Sequence, residues 1–460
     1  MTEALLRTAT ETADLIRSGA LSSHDLTEQL LAHIDVIDPK INAVVELRRE
    51  AALREAMDAD TALARTDEVG PLHGIPMTVK ESFAVAGMHS TWGNPAFASH
   101  VSDRDATVVR RLRKAGAIIV GTTNVHEMLA DFGQTSNQIY GTTSNPWDTT
   151  RTPGGSTGGG AAALAAGMSF LEYGSDLVGS IRIPASFCGV YGLKPSAGTV
   201  SPTGFQPPGP PAPSSEMTYL SSIGPLARSA TDLRAVLRAT AGPDSYAGKA
   251  GHWDLAPPRG SRLADHRVGI VLDDPGAPVA SDVGSALSDA ADALAKAGVR
   301  IVEGWPDGID PAASAESFGF QVGLFFALQG QGGEDLEMAQ VIEQEHRRMT
   351  ARAAWADYHQ DVDAFLCPVN FTAAFPHDDR PFGERTIVTP EGGRAYSAQP
   401  FWISHASLAG LPAVSAPVGR TPGGLPVGMQ IIGPRDEDDT AITFAELMAT
   451  VVGGYEAPPM

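Results

Sequence analysis

From Pro71 onward, short apolar runs alternate with segments of helical spacing, and this alternation leaves few folds open to the chain. Ile75 to Val79 is the first such run. Asp105 is placed to cap a helix through Lys114, Gly116 to end it, and Ala117 to Val120 to follow as a buried strand before Gly121. The unit returns later: Arg267 to Leu272 reads as a strand, Asp282 to Ala297 as an amphipathic helix closed by Gly298, and Val299 to Val302 as another strand. Ahead of these units the first 65 residues read as helices. Leu15, Ile16, Leu26, Leu30, Leu31, Ile34 and Ile37 fall at helical spacing, with a cap at Ser22 to Asp25 and a stop at Pro39. The expectation is an α/β fold with a central mixed, twisted sheet surrounded by helices. Neither a 20 to 50 residue repeat nor a long linker is apparent, so the 460 residues are read as one large domain with a helical subregion near residues 305 to 360. At Gln206 to Ser215, where five of ten residues are proline, either a stiff surface loop or a loop bordering the active site is expected.

Composition narrows the function classes. Lys and Arg sum to 33 against 54 Asp and Glu, a net charge of −21 that repels phosphate backbones, so no nucleic acid is expected as partner. The two cysteines, Cys188 and Cys367, are far apart and each lies in an apolar run, which fits a reduced, cytoplasmic setting better than a disulfide scaffold. Met1-Thr2-Glu3-Ala4 has no basic stretch ahead of an apolar one, and no run reaches the ~18 apolar residues of a membrane span, so no membrane attachment is expected. The twelve histidines form no ligand pattern. Neither metal nor cofactor is expected, and His126 is read as structural or pocket-lining.

Three segments carry chemistry. Gly154-Gly155-Ser156-Thr157-Gly158-Gly159-Gly160 leads into the small-residue run Ala161 to Gly167, which must be helical to bury itself. A phosphate cradle would need a Gly-Lys-Ser/Thr ending or a Gly-x-Gly-x-x-Gly order, and neither occurs. The second segment, Gly174-Ser175-Asp176-Leu177-Val178-Gly179-Ser180-Ile181-Arg182, sets a serine in a tight turn whose amides can face a developing oxyanion. Asp176 and Arg182 flank the turn and read as a structural ion pair. The third segment, Gly74 to Glu81, ends an apolar strand on Lys80. A lysine stripped of water there loses basicity and can serve as a general base.

Together with Thr122-Thr123-Asn124, Asn145-Pro146-Trp147-Asp148, Phe187 to Pro195, Ser407 to Pro412 and Gly424 to Gln430, these segments resemble, in order, the amidase signature family of serine hydrolases. The resemblance covers essentially the whole chain, 1–460. It divides the domain into a helical segment at 1–65, a catalytic core at 70–240 and a remainder at 265–450 that completes the sheet and the substrate funnel. It also implies Ser180 as nucleophile, Ser156 as bridging hydroxyl after a cis peptide at Gly155-Ser156, and Lys80 as base. The backbone amides of Leu177, Val178, Gly179 and Ser180 are implied as the oxyanion hole, with Gly155, Asp176 and Arg182 in support. Two positions depart from the family pattern. Val178 stands where many members carry glycine, which calls for a negative φ there, and Thr122 stands where many carry lysine, read as a structural change.

What the resemblance implies about function is an amidohydrolase of the bacterial amidase or urethanase branch, acting on a small-molecule amide, anilide or carbamate. A homodimer is common in the family, but no seam for one can be read. Two other readings stay open: the glutaminase-type component of a tRNA-dependent amidotransferase, and a binding or scaffold protein that has lost turnover. Phe318 to Leu328, with Phe318, Phe320, Val322, Leu324, Phe325, Phe326 and Leu328, is an apolar helix that either packs in the core or lines the substrate funnel.

Overall fold

The computed structural model describes residues 3–66, 68–209, 220–244, 253–328 and 336–460. Residues 210–215 of the proline-rich stretch fall outside these. Two sheets organise the chain. In the smaller, β1 (Val44–Leu47), β2 (Pro76–Lys80) and β3 (Ile118–Thr123) lie in the order β1-β3-β2, with β2 parallel to β3 and Lys80 opposite Thr123. A two-stranded ribbon follows, β4 (Ser136–Asn137) with β5 (Gly141–Thr142).

The larger sheet has eight strands. They are β6 (Leu171–Asp176), β7 (Tyr191–Lys194), β8 (Ser222–Ala227), β9 (Arg267–Ile270), β10 (Arg300–Glu303) and β11 (Ala364–Pro368), then, after a hairpin of β12 (Thr386–Thr389) and β13 (Gly392–Ala395), β14 (Ala413–Arg420) and β15 (Pro426–Ile432). Their order is β10-β9-β11-β15-β14-β7-β8-β6. The pairs among β10, β9 and β11 are parallel and the others antiparallel, so the sheet is mixed, in a single large α/β domain.

Between the sheets runs the helix Gly158–Ala165, built only of Gly, Ala and Leu and buried throughout. Its small residues follow from the space available: a Cβ on Gly160 would lie 2.4 Å from Glu172 Cγ, and one on Gly159 2.5 Å from the Asn124 nitrogen. A second apolar cluster holds Trp355, Phe365, Trp402 and Phe318, where the helix Pro311–Leu328 packs on the helices Phe401–Ala409 and Met338–Tyr358.

Three local expectations are corrected. Pro39 does not stop its helix, which runs Ser23–Ile41. It ends where Asn42 turns left-handed at φ 58° and its N–H caps the Asp38 carbonyl, so the turn chemistry of Asn42 sets the boundary. Asp105 caps nothing. It accepts the Ala86 N–H and pairs with Arg113, and the helix Thr107–Lys114 begins after Ala106 without a side-chain cap. The first 65 residues also contain the strand β1, which edges the smaller sheet.

Candidate active site

β2 ends on Lys80 and so carries its ammonium group into the space between the sheets, where the side chain is fully buried. Nζ lies 2.8 Å from Ser156 Oγ, 2.9 Å from Ser175 Oγ and 3.0 Å from Thr157 Oγ1. Burial pushes this lysine down to about 7, against the opposing pull of Asp176 and Glu172. A neutral amine offers two N–H groups and one lone pair to three hydroxyls. The Thr157 hydroxyl donates to the Ser175 carbonyl at 3.4 Å, so its oxygen accepts from Lys80, and the lone pair is left for a proton from Ser156 or Ser175.

The Gly155–Ser156 peptide is cis. A Cβ on Gly155 would sit 2.0 Å from the Gln134 carbonyl oxygen, so only glycine fits beside Ser156. Ser180 follows β6 in the turn expected from the sequence, and its residue is 6% exposed. Gly179 makes that turn at φ +85°, with Ile183 too close for any Cβ. Val178 is not among the described residues of positive φ, so it fits its position without backbone strain.

Of the four amides expected around the oxyanion, Gly179 N–H points inward and donates to Asp176 Oδ1 at 2.9 Å. Among the described residues, the N–H groups of Leu177, Val178 and Ser180 donate to no protein acceptor. Asp176 and Arg182 form a fully buried bidentate pair, with Nη2 to Oδ1 at 2.8 Å and Nε to Oδ2 at 2.9 Å. Burial would raise the Asp176 carboxyl, but Arg182 outweighs it and holds the group below the usual carboxylate range. The guanidinium also reaches Gln430 Oε1 (2.6 Å), the Ile403 carbonyl (2.9 Å) and Ser407 Oγ (2.7 Å), which pins the turn to β15 and to the helix behind it.

Sequence reasoning missed Glu172. It sits in the fully buried strand β6, accepts from Thr78 Oγ1 (2.5 Å) and Thr123 Oγ1 (3.0 Å), and is pushed up to about 8 by burial. A glutamate two residues into a strand buried on both faces is the signal the sequence offers. Ser175 and Thr157, which sit inside two of the motifs, hold Lys80. His126 lines a separate cavity of about 270 Å³, and Thr122 is buried in β3 with a hydroxyl that meets no partner. Among the described residues no group of His, Cys, Asp or Glu is placed to hold a metal, and no helix is long and apolar enough to cross a membrane.

Ser180 opens on a cavity of about 470 Å³. Leu177, Val178, Phe132, Phe318, Val322 and Phe326 are among the residues that line it, and none of its described lining residues carries a charged side chain. The apolar helix therefore has both roles left open by the sequence: Phe318 is 2% exposed in the core and also lines the cavity, while Val322 and Phe326 continue that face. Phe320, Leu324 and Phe325 are half-buried outside the lining, and the Leu328 side chain lies outside the described residues.

A buried lysine beside two serines on a mixed α/β sheet defines a class of hydrolase, and comparison with known proteins identifies the family. The family model named Amidase matches residues 25–322 and 306–442. The A subunit of the glutamyl-tRNA(Gln) amidotransferase of Moorella thermoacetica is 32% identical over 95% of each chain. An acylamidase of Rhodococcus erythropolis is also 32% identical, over 95% of this chain and 94% of its own. The structure of a 6-aminohexanoate cyclic dimer hydrolase with its substrate superposes with a TM-score of 0.79 at 26% identity, covering 99% of both chains. The chain belongs to the amidase family and is an amide-cleaving enzyme.

Proposed function

We propose that this enzyme hydrolyses uncharged amides, anilides or carbamates with an apolar or aromatic group, through an acyl-enzyme on Ser180. The observation that carries this reading is a fully buried Lys80, 2.8 Å from Ser156, beside an uncharged cavity that contains Ser180. Neutral Lys80 takes the Ser156 proton as Ser156 takes that of Ser180, and Ser180 Oγ attacks the carbonyl carbon. The amides of Leu177, Val178 and Ser180 receive the oxyanion. On collapse the C–N bond breaks, Ser156 returns a proton to the leaving nitrogen, and water repeats the cycle on the ester. A carbamate offers the same planar carbonyl: its C–N bond breaks in the same way, the amine leaves with the proton from Ser156, and water releases the carbonate ester left on Ser180 as an alkyl carbonic acid that loses carbon dioxide.

An aromatic ring filling the cavity gains about 1.5 to 3 kcal/mol over a small polar group, roughly ten- to a hundredfold in specificity constant. A zwitterion such as glutamine finds no counter-charge among the described lining residues, and Arg385, close to Phe382, is already paired with Asp131.

The alternative, a glutaminase-type amidotransferase component handing ammonia to partner proteins, draws its support from relatives that carry that name at 32% identity. A scaffold without turnover would have no use for a buried lysine among three hydroxyls. A fluorophosphonate probe tests the proposal: mass spectrometry should find the adduct on Ser180. An unlabelled Ser180 in folded enzyme would contradict it.

A further inference from the structure

The loop that carries Ser156 is held from outside. Segment 131–135 fastens it at four points: Gly155 N–H donates to the Phe132 carbonyl (3.0 Å), Thr152 Oγ1 to that of Gly133 (2.7 Å), Thr135 Oγ1 to that of Gly154 (2.9 Å), and Gly158 N–H to Thr135 Oγ1 (3.2 Å). The carbonyls of Gln134 and Asp131 also press on the Gly155 Cα, where a Cβ would come within 2.0 and 3.0 Å of them. Ser156 therefore moves only if this segment moves.

The segment is held in turn by Gln134, whose amide exchanges two hydrogen bonds with the Asp378 backbone (3.0 and 2.8 Å), by the Thr143 N–H on the Thr135 carbonyl (3.0 Å), and at its start by one buried carboxylate. Asp131, 3% exposed, accepts from the Gly133 N–H (2.9 Å) and from Tyr396 Oη (2.6 Å) and forms an ion pair with Arg385. Arg385 and Tyr396 stand at the two feet of the β12–β13 hairpin, whose strands reach into solvent at Val388. Phe132 stacks on Tyr396 at 5.8 Å and meets Phe382 edge-on at 5.7 Å, and both phenylalanines line the cavity beside Ser180.

We infer that Asp131 and Arg385 are positioning residues for Ser156: their buried ion pair ties the hairpin feet to segment 131–135 and so fixes the bridging hydroxyl relative to Lys80. Neither touches Lys80 or lines the Ser180 cavity; the pair reaches Ser156 through segment 131–135, whose Phe132 also belongs to the cavity wall. The inference rests on Ser156 being the relay hydroxyl. Relay geometry must hold to about 0.5 Å to transfer a proton, so an effect on kcat separates positioning of Ser156 from a shift of the Phe132 wall, which would act on KM.

The test is steady-state kinetics of Arg385→Met, Arg385→Lys and Tyr396→Phe on a nitroanilide, alongside thermal unfolding and fluorophosphonate labelling rates. Arg385→Met should lower kcat by about 10- to 100-fold with KM changed less than about threefold, and slow labelling in parallel. Arg385→Lys should recover part of kcat, because it keeps the charge but not the planar fork. Tyr396→Phe removes one hydrogen bond and gives a smaller loss of kcat, which keeps the test open if Arg385→Met does not fold. A loss confined to KM, or a lowered unfolding temperature with kcat intact, overturns the inference. Ser156→Ala in the same assay separates the two readings: if it is inactive while Arg385→Met turns over normally, only the positioning role falls, and if it is fully active the relay falls and takes the positioning role with it.

Discussion

On the proposed mechanism, the acid limb of the pH–rate profile reports on Lys80. Its side chain is fully buried and burial brings it to about 7, so below that pH the amine is protonated and holds no lone pair for Ser156. Activity should rise with pH and level off above about 7, because the deprotonated form is the base. With one proton involved, kcat/KM falls about tenfold per pH unit below the midpoint, to roughly one-hundredth of the plateau near pH 5. Glu172→Gln sharpens the test. Glu172 raises the Lys80 value, but it is itself held up to about 8 and so is largely protonated where the limb falls. The variant should move the midpoint downward by less than about one pH unit. The assay is initial-rate release of nitroaniline from a nitroanilide, with circular dichroism at each pH to show that the fold persists. An unchanged acid limb in a folded, active Lys80→Ala variant would refute the assignment of Lys80 as base.

Other outcomes follow from the same geometry. Ser180→Ala should abolish turnover, and Ser156→Ala and Lys80→Ala should each lower kcat by about 10²- to 10⁴-fold without additivity when combined, as measured by nitroanilide kinetics on folded protein. Arg182→Met leaves the Asp176 carboxylate buried without its partner, which should cost about 3 to 5 kcal/mol in urea unfolding. Activity should survive EDTA; a loss on chelation that zinc restores would contradict a hydrolysis carried by Lys80, Ser156 and Ser180.

Much of this architecture was legible because local chemistry and global fold agree. The Gly-Ala run could bury itself only as a helix, and the space left by Glu172 and Asn124 explains its lack of side chains. The lysine ending an apolar strand does lie among hydroxyls. The misreadings came where one residue type can serve two ends. Pro39 rides inside the last turns of its helix, and Asp105 spends its carboxylate on a tertiary N–H and an arginine instead of a cap. The inward turn of Gly179 N–H depends on where the Asp176 carboxylate lies, which no spacing encodes. Asp131 and Arg385 stand 254 positions apart, and neither sits in a motif, so only the folded chain brings them together. The helix Pro311–Leu328 was ambiguous in sequence because one apolar face does pack in the core and form the cavity wall at once.

The most direct test of the account is a comparison of kcat/KM for three substrates on the same preparation: a nitroanilide, an aryl carbamate and glutamine. The uncharged cavity beside Ser180 predicts that the anilide and the carbamate are both cleaved and both exceed glutamine by at least about tenfold. If glutamine is the better substrate, the amidotransferase reading replaces the one proposed here.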